Sequence, residues 1–280
     1  MRFIEAAERQ VRNLGRDIVP PPIKRQLWFY YMEGKRMVET RTLDMFGQVH
    51  LEINTDCNRA CSYCSVSVFP KAQKFMDTAV YKKVIDELAD TNYRGRISPN
   101  LSSEPTIHPG LPELMAYARK VENARLVLYT NGDFLNRRRF NVLKESGVDE
   151  FIITQHGQNA PGPLKELMDG LTDDERKMVT YQTLAGVHLF NRGIPGLISP
   201  ERRTVPNPCF VADYELTVLA DGDVAQCGND FRGEHVFGNV KDRLIMDIWN
   251  DSDYEAFRSE VRRGQFEHDV CQRCVFDASQ

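Results

Sequence analysis

Three cysteines stand within eight positions of one another, directly after a strand-like segment. Cys57, Cys61 and Cys64 form a C-x3-C-x2-C triplet, and residues 49–53 before it alternate apolar and polar side chains as a strand does. Three thiolates at this spacing can hold three irons of a cubane iron–sulfur cluster and leave the fourth iron open to a small molecule. The triplet therefore predicts a reactive cluster in a loop at the end of a strand.

Zinc and disulfide bonding are the two other uses of such a triplet. A zinc site usually shows two C-x2-C pairs or a mixture of cysteine and histidine, and no fourth ligand lies near the triplet in sequence. Disulfides need an oxidising compartment and a secretory signal, and residues 1–5 show no apolar segment of that kind. We expect an iron–sulfur cluster, with zinc as the alternative.

The remaining four cysteines all lie in the last quarter of the chain. Three of the seven cysteines form the triplet, and the others are Cys209, Cys227, Cys271 and Cys274. An odd total divided into three and four fits one open cluster and one fully ligated cluster better than it fits disulfide pairing. Four thiolates saturate a [4Fe–4S] cluster, and a zinc ion with the same four ligands is the alternative.

Composition argues against several classes of partner. The chain has 280 residues, of which 41% are apolar, and this suffices for one large domain with a packed core. Its formal net charge of −4 provides no basic field for a nucleic acid, and no apolar run approaches the length that crosses a bilayer. We therefore expect a cytoplasmic protein without a nucleic-acid or membrane partner.

From residue 47 onward, the pattern of strand, loop and helix repeats. Apolar periodicity predicts strands at 49–53, 97–101, 126–129 and 151–154, and helices at 78–88, 111–121 and 137–146. Further strands are expected somewhere in 179–198. This alternation predicts a parallel sheet with right-handed crossovers, so the polar segments that follow the strands should converge on one rim. These segments are 56–64, 102–108, 130–133 and 155–158.

The two ends of the chain depart from this repeat. Residues 1–46 are predicted to be an N-terminal extension, in which the three prolines at 20–22 stop any helix and the aromatic run 27–32 packs on the main body. Residues 47–200 form the main domain. Residues 201–280 form a separate small module, with a hairpin around Asp221-Gly222 and a helix over 244–263.

Small and polar residues after the later strands complete a pattern with the triplet. Ser102-Ser103-Glu104-Pro105 follows the second strand, Thr130-Asn131-Gly132 the third, and Gln155-His156 the fourth. In this order they resemble the radical S-adenosylmethionine (SAM) superfamily, in which the open iron of a [4Fe–4S] cluster binds SAM. The resemblance implies an α/β fold, a partial (β/α)6 TIM-like barrel.

The same resemblance implies which residues bind the cofactor. They are Tyr63, Ser103, Glu104, Thr130, Asn131 and Gln155. Glu104 would hold the SAM ammonium group, and Tyr63 would lie against the adenine. Ser102 and Ser103 replace the two glycines of the family's Gly-Gly-Glu-Pro segment, which is a mild departure because serine is also small. His156 is expected to be a structural group rather than an acid or base.

The C-terminal cysteines resemble a second known element. Cys209, Gly222, Cys227 and the pair Cys271-x2-Cys274 are similar to the start of the SPASM or twitch extension, which binds an auxiliary cluster. The further cysteines of a full SPASM domain are absent from this sequence, so the shorter form with one auxiliary [4Fe–4S] cluster is expected. The C-terminal module would then consist of a β-hairpin and a helix around that cluster.

Over residues 48–275 the chain resembles the 2-deoxy-scyllo-inosamine dehydrogenases of aminoglycoside biosynthesis. The matching segments are 95–98, 129–135, 151–156, 191–193, 238–240 and 247–249. The resemblance implies that a radical removes hydrogen from a carbinol carbon of a sugar or aminocyclitol, that the alcohol becomes a ketone, and that the auxiliary cluster accepts an electron. An external donor of the flavodoxin or ferredoxin type is implied. Arg192 and Tyr129 match positions beside the substrate, and Arg192 would position it because arginine stays protonated.

One departure from that family concerns the substrate. A bulky aromatic residue and a glutamate follow the family's equivalent of Cys227, whereas Gly228 and Asn229 stand here. Gly228 opens space and Asn229 offers no negative charge to an amine, so a different sugar or cyclitol is expected. A radical SAM epimerase is the alternative function, although it needs a free cysteine and all seven are assigned. A peptide-modifying SPASM enzyme is a second alternative, for which residues 1–46 are too short a leader-binding domain.

Overall fold

The computed structural model describes residues 21–72, 74–157, 160–184, 189–199 and 209–276. The strands in this part of the chain are β1 (Gln48–Leu51), β2 (Arg96–Ser98), β3 (Arg125–Thr130), β4 (Glu150–Gln155), β5 (Val179–Thr183), β6 (Glu215–Val218), β7 (Asp223–Ala225) and β8 (Val236–Asn239). The helices are α1 (Pro21–Thr40), α2 (Ser65–Val68), α3 (Thr78–Asp90), α4 (Leu111–Ala118), α5 (Arg137–Glu145), α6 (Gly162–Asp169), α7 (Asp173–Met178), α8 (Val211–Tyr214), α9 (Ile245–Trp249), α10 (Ser252–Arg262) and α11 (Asp269–Phe276).

All eight strands form one sheet in the order β5-β4-β3-β2-β1-β6-β7-β8. Strands β1 to β6 pair in parallel, and β7 and β8 add an antiparallel edge. The α/β class and the parallel sheet predicted from the alternation of strands and helices are confirmed. The sixth parallel strand is β6, which comes from the C-terminal module and lies beside β1 rather than beside β5.

The two faces of the parallel part of the sheet differ in chemistry. One face carries aliphatic and aromatic side chains that are fully buried, among them Val49, Leu51, Ile97, Leu126 and Leu128, and it joins the core with the helices. The other face, here called the inner face, carries Gln48, His50, Arg96, Ser98, Arg125, Tyr129, Glu150, Glu215 and Thr217, as strand register and alternation require. The polar side chains of the inner face can contact a polar ligand, which enzymes with barrels of parallel strands bind at the carboxyl ends of the strands.

Charge pairing stabilises the lower part of the inner face. Glu150 forms ion pairs with Arg96 at 3.2 Å and with Arg125 at 3.0 Å, and all three side chains are largely buried. Buried charges persist only when paired in this way. This end of the inner face is therefore closed by protein contacts, while the upper end, at the carboxyl ends of the strands, faces the loops that follow them.

Two prolines of the N-terminal extension lie at the start of a helix. Pro21 and Pro22 are in the first turn of α1, where a missing backbone N–H leaves no hydrogen bond unmade. Residues 1–20 lie outside the described part, so the expectation that the prolines stop a preceding helix stays a prediction. The aromatic run lies on α1; Phe29 packs on Phe210 with ring centroids 5.9 Å apart, whereas Tyr30 is 61% exposed.

The C-terminal module confirms one local prediction and contradicts another. The hairpin forms as expected, with Val218 opposite Val224 across a turn that contains Gly222 at φ +94°. A single helix over 244–263 is wrong, because α9 ends at Trp249 and α10 begins after Asp251. The Asp251 carboxylate accepts a hydrogen bond from the Asp253 N–H at 3.1 Å and so caps the start of the second helix.

The boundaries 1–46, 47–200 and 201–280 remain predictions. Residues 200–208 lie outside the described part, and direct pairing of β6 with β1 joins the main sheet to the C-terminal module. Among the described helices, none combines the length and the apolar character needed to cross a membrane.

An ion pair between Arg36 and Asp213 holds α1 against the start of the C-terminal module. Both side chains are 5% exposed, and Arg262 Nε lies 3.6 Å from Asp213 Oδ1. Replacing Asp213 with Ala leaves the Arg36 charge buried without its partner, and we expect a loss of about 3–5 kcal/mol in the free energy of unfolding. Urea denaturation of the reconstituted protein measures this loss.

Two variants provide the controls for this measurement. Asp174→Ala breaks the exposed ion pair with Lys177, and it should change the unfolding midpoint little. The double change Arg36→Met with Asp213→Leu should recover most of the loss, because no unpaired charge remains buried. An Asp213→Ala protein as stable as the wild type would show that the pair does not hold α1 in place.

Candidate functional site

The loops that follow β1, β2 and β3 meet at the carboxyl end of the sheet. The Glu104 N–H donates to the carbonyl of Asp56 at 3.0 Å, and the Asn131 side chain donates to Asn58 Oδ1 at 2.8 Å. The cysteine triplet lies in the first of these loops. The convergence expected of a parallel sheet is thus present around the triplet.

The triplet loop is folded tightly by its own backbone. The Cys64 N–H donates to the carbonyl of Cys61 at 3.0 Å, and the Cys57 N–H donates to Asp56 Oδ1 at 2.8 Å. All three cysteines are half-buried and unbonded to one another. Burial raises the pKa of the Cys57 thiol, and the charges of Glu104, Cys64 and Cys61 add to this. The loop thus presents three thiols to one region.

Asp133 anchors the triplet loop to the end of β3. Its carboxylate accepts hydrogen bonds from Arg59 Nε at 2.6 Å and from Asn58 Nδ2 at 2.6 Å. Burial would raise the pKa of Asp133, but the hydrogen bonds from Arg59 and Asn58 hold it below its usual range. The ionised carboxylate therefore fixes the two residues directly after Cys57.

Glu104 is almost fully buried and joins the second loop to the third. Its carboxylate accepts from the Asn131 N–H at 2.7 Å, from Thr130 Oγ1 at 2.8 Å and from the Thr106 N–H at 3.1 Å. Burial raises the pKa of Glu104, and these hydrogen bonds oppose the rise. The carboxylate also accepts from Thr106 Oγ1 at 2.5 Å, so the protein itself fills its roughly four acceptor positions, and binding of the SAM ammonium by Glu104 stays a prediction. Ser103 lies beside it and donates to Asn54 Oδ1 at 3.4 Å.

Tyr63 and Gln155, both predicted SAM contacts, have different surroundings. The Tyr63 hydroxyl lies 2.7 Å from His156 Nδ1, and the two rings stack with centroids 6.1 Å apart. Gln155 instead accepts from the Tyr181 hydroxyl and donates to the Gly157 carbonyl at 2.8 Å. His156 thus hydrogen-bonds to the triplet loop, whereas the hydrogen bonds of Gln155 go to Tyr181 and Gly157. Burial and the nearby Arg59 charge lower the pKa of His156.

Arg192 reaches the site from a strained position in the chain. Its φ of +50° is left-handed, a conformation that costs energy for any residue with a Cβ and is found disproportionately at functional sites. Its Nη1 donates to Ser102 Oγ at 2.7 Å and lies 3.5 Å from the Gly228 carbonyl. Arg192 thus connects the loop after β2 with the residue after Cys227. Tyr129 lies on the inner face and accepts from Gln48 Nε2 at 3.3 Å.

The four C-terminal cysteines lie close enough to influence one another. Burial raises the pKa of Cys271 to about 12, and the neighbouring Cys209 and Cys274 contribute. Burial likewise raises the pKa of Cys209 to about 12, and that of Cys227 rises well above its usual range with contributions from the other three. Such thiols ionise only when metal replaces the proton, as in a metal-binding site.

The thiols form one set of three and one set of four, the numbers that an open and a saturated cubane cluster need. Within the described ranges, no three histidine, cysteine, aspartate or glutamate side chains are grouped as ligands of one metal ion. The residue assignments themselves remain predictions.

Several inner-face residues near Arg192 were not identified as site residues from the sequence patterns. His50 Nε2 lies 3.5 Å from Glu215 Oε2, and Thr217 stands opposite His50 in the pairing of β1 with β6. Alternation of polar and apolar residues in both strands was the available signal. It did not show that the two strands are neighbours, because they lie far apart in the sequence.

Comparisons with known proteins agree with this geometry. Residues 51–180 match the radical SAM superfamily, and residues 209–275 match the iron–sulfur cluster-binding SPASM domain. The S-adenosyl-L-methionine-dependent 2-deoxy-scyllo-inosamine dehydrogenase of Niallia circulans is 32% identical over 82% of this chain and 93% of its own length. The crystal structure of BtrN in complex with AdoMet and 2-DOIA superposes with a TM-score of 0.75 at 31% identity, covering 82% of this chain and 93% of BtrN. An open conformation of BtrN superposes with a TM-score of 0.64 at 28% identity, covering 82% of this chain and 92% of BtrN.

The fold and site therefore define a radical SAM enzyme with a SPASM iron–sulfur domain. Within that superfamily, the chain belongs to the family of the S-adenosyl-L-methionine-dependent 2-deoxy-scyllo-inosamine dehydrogenase. Its cofactors are SAM, the [4Fe–4S] cluster of the radical SAM domain and the auxiliary cluster of the SPASM domain.

The anchor between Asp133 and the triplet loop yields a prediction about cluster retention. Replacing Asp133 with Ala releases Arg59 and Asn58, and loss of such supporting contacts typically lowers metal affinity about 10–100-fold. Under a fixed chelator challenge, we expect iron to fall from about eight to about four atoms per chain, because only the SAM cluster is affected. Asp221→Ala, which removes an exposed carboxylate in the hairpin turn, is the control. Equal iron retention in both variants would show that Asp133 does not support the triplet.

Proposed function

We propose that this protein oxidises an alcohol of a sugar or aminocyclitol to a ketone by radical SAM chemistry. The observation that carries the proposal is the 32% identity to the inosamine dehydrogenase over 82% of the chain, with the same superfamily and SPASM domains in order. Arg192, held between Ser102 and Gly228, supports it from the structure.

The cofactors supply the redox chemistry of the proposed reaction. When bound, the SAM-binding cluster would supply the electron for cleavage of SAM, and the auxiliary cluster would accept the electron that the substrate loses together with its hydroxyl proton, which would pass to water. The protein's part is to hold the carbinol carbon at the SAM end of the inner face. Cys57, Cys61 and Cys64 would bind the first cluster, and the four C-terminal cysteines the second.

Arg192 would position the substrate hydroxyl and stabilise negative charge on its oxygen. Guanidinium remains protonated in proteins, so Arg192 is a donor and not the base that removes the proton. Its left-handed backbone and its hydrogen bond to Ser102 fix the direction of the side chain. Tyr129, on the inner face beside Gln48, would contact the ring of the substrate.

The residues after Cys227 support a substrate different from that of the Niallia enzyme. Gly228 has no side chain, and a Cβ placed there would meet only ordinary contacts, 3.4 Å from Leu101 being the nearest. Asn229 is neutral and buried. Both features favour a differently aminated or larger sugar or cyclitol. A small one-electron protein of the flavodoxin or ferredoxin type would reduce the first cluster, in a cytoplasm that keeps the cysteines reduced.

Loss of the triplet tests the first step. A variant with Cys57, Cys61 and Cys64 all replaced by Ala should release no 5′-deoxyadenosine from SAM under a strong reductant, and it should keep about four irons in the auxiliary site. Anaerobic iron analysis and chromatography of the products measure both. Release of 5′-deoxyadenosine by this variant at the wild-type rate would exclude the triplet as the site of SAM cleavage. About four irons and one zinc in the wild type would instead indicate a zinc ion in the C-terminal module.

Isotopic labelling tests the outcome of the reaction. With sugars and aminocyclitols deuterated at single carbinol carbons, we expect deuterium in 5′-deoxyadenosine and one ketone product per SAM consumed. Mass spectrometry of both products measures this transfer. Hydrogen from solvent at an inverted carbon, without a ketone, would replace the dehydrogenase proposal with the epimerase.

A further inference from the structure

His50 and Glu215 face each other on the inner face with two acceptor atoms opposed. His50 Nδ1 lies 3.2 Å from the Asn100 carbonyl, which can only accept, so Nδ1 carries the proton of the neutral ring. Nε2 is then an acceptor; it lies 3.1 Å from the Gln48 amide nitrogen, which can donate to it, and 3.5 Å from Glu215 Oε2, which only accepts. The neutral ring therefore gives Glu215 Oε2 no hydrogen bond, and a cationic donor beside the carboxylate would supply one.

The Thr217 hydroxyl is a polar group without a hydrogen-bond partner next to His50 and Glu215. Its side chain is fully buried, and within the described part of the chain its Oγ1 has no hydrogen-bond partner. A buried hydroxyl without a partner costs free energy, which a ligand can recover. Thr217 stands opposite His50 in the sheet register, and Glu215 precedes it by two residues on the same face.

Gly228 leaves the Glu215 carboxylate partly uncovered. A Cβ at this position would lie 3.7 Å from Thr217 Oγ1 and 3.9 Å from Glu215 Oε2, so any side chain there would cover both. The Glu215 side chain keeps 28% of its surface exposed although it points into the sheet's interior. The carbonyl of Gly228 lies 3.5 Å from Arg192, so the opening is next to the proposed substrate hydroxyl site.

Nearby cations favour the ionised form of Glu215. Burial alone would raise its pKa, but a hydrogen bond and charge from His50 whenever that ring is protonated, followed by the charges of Lys35 and Arg192, bring the pKa below its usual range. Among the described residues, only His50 lies within ion-pair distance of the carboxylate. One face of this carboxylate therefore remains available to a further cation.

We propose that Glu215, with His50 beside it, binds the protonated amino group of an aminated polyol substrate through the opening left by Gly228. An ammonium group donates three hydrogen bonds and carries one positive charge, which matches two acceptors and one negative charge. The inference rests on the proposed function and assigns the amine a position on β1 and β6. It restores, from a different strand, the negative charge that Asn229 does not offer.

Calorimetric titration of the anaerobically reconstituted protein with SAM tests this assignment. The probes are aminated cyclitols and amino sugars, each paired with the neutral compound in which a hydroxyl replaces the amine; 2-deoxy-scyllo-inosamine and its deoxyinositol counterpart form one pair. The wild type should bind at least one amine about tenfold or more tightly than its neutral partner. Glu215→Gln should abolish that preference, and Asp221→Asn, the same charge change in the exposed hairpin turn, should preserve it.

A second variant keeps the assignment testable if Glu215→Gln does not fold. Gly228→Leu places apolar atoms over Glu215 and Thr217, and it should weaken amine binding about tenfold or more. Equal affinity for every amine and its neutral partner, or an unchanged preference in both variants, overturns the assignment. Release of 5′-deoxyadenosine by the wild type without substrate tests the proposed function separately. If the wild type releases 5′-deoxyadenosine but shows no preference for amines, only the amine-site assignment is refuted. If it releases no 5′-deoxyadenosine, the proposed function is refuted.

Discussion

The buried carboxylate of Glu104 is the interaction on which the arrangement of the site depends. It accepts hydrogen bonds from Thr130 and Asn131 after β3, while its backbone N–H donates to Asp56 beside the triplet. Three loops that leave the sheet separately are thereby held as one unit. Strand pairing cannot do this, because the ladder of hydrogen bonds ends where the loops begin. Loss of the carboxylate would leave buried donors unpaired as well as free the loops.

The joining of the three loops by Glu104 also helps to explain the positions of the other site residues. With the loops fixed, the distance from the triplet to the inner face is set by the strands, which are rigid. Arg192 reaches this region from a segment after β5 and joins Ser102 to Gly228, so the two cluster-binding regions of the chain share a contact. A substrate between them contacts groups from both regions, which suits a reaction in which hydrogen leaves toward one cluster's SAM and an electron toward the other cluster.

Much of the fold follows from local sequence signals, whereas the pairing of strands that are distant in sequence does not. Periodicity located β1 to β4, and Asp221-Gly222 located the hairpin, because each signal lies within a few residues. The position of β6 beside β1 was not predictable in this way, since it depends on pairing between distant segments. The break at Asp251 was a local signal that apolar spacing outweighed. In the site, the cysteine ligands and the SAM contact of Gln155 stay predictions; Gln155 hydrogen-bonds to Tyr181 because β5 lies next to β4.

The inner-face residues show why substrate specificity is harder to derive than cofactor chemistry. A cluster and SAM need fixed ligands at fixed spacing, so their residues keep a recognisable order. A substrate amine needs only a negative charge at the correct distance, and β6 can supply it as well as the segment after Cys227. A carboxylate on a strand is held by the sheet on both sides and is therefore more precisely oriented than one in a loop. A neutral polyol in the same place could donate a hydroxyl to Glu215 but would bring no positive charge to its carboxylate, and a hydrogen bond between an ionised donor and an ionised acceptor is the stronger one. A carboxylate on β6, as proposed for Glu215, would therefore keep a preference for an amine although Asn229 carries no charge.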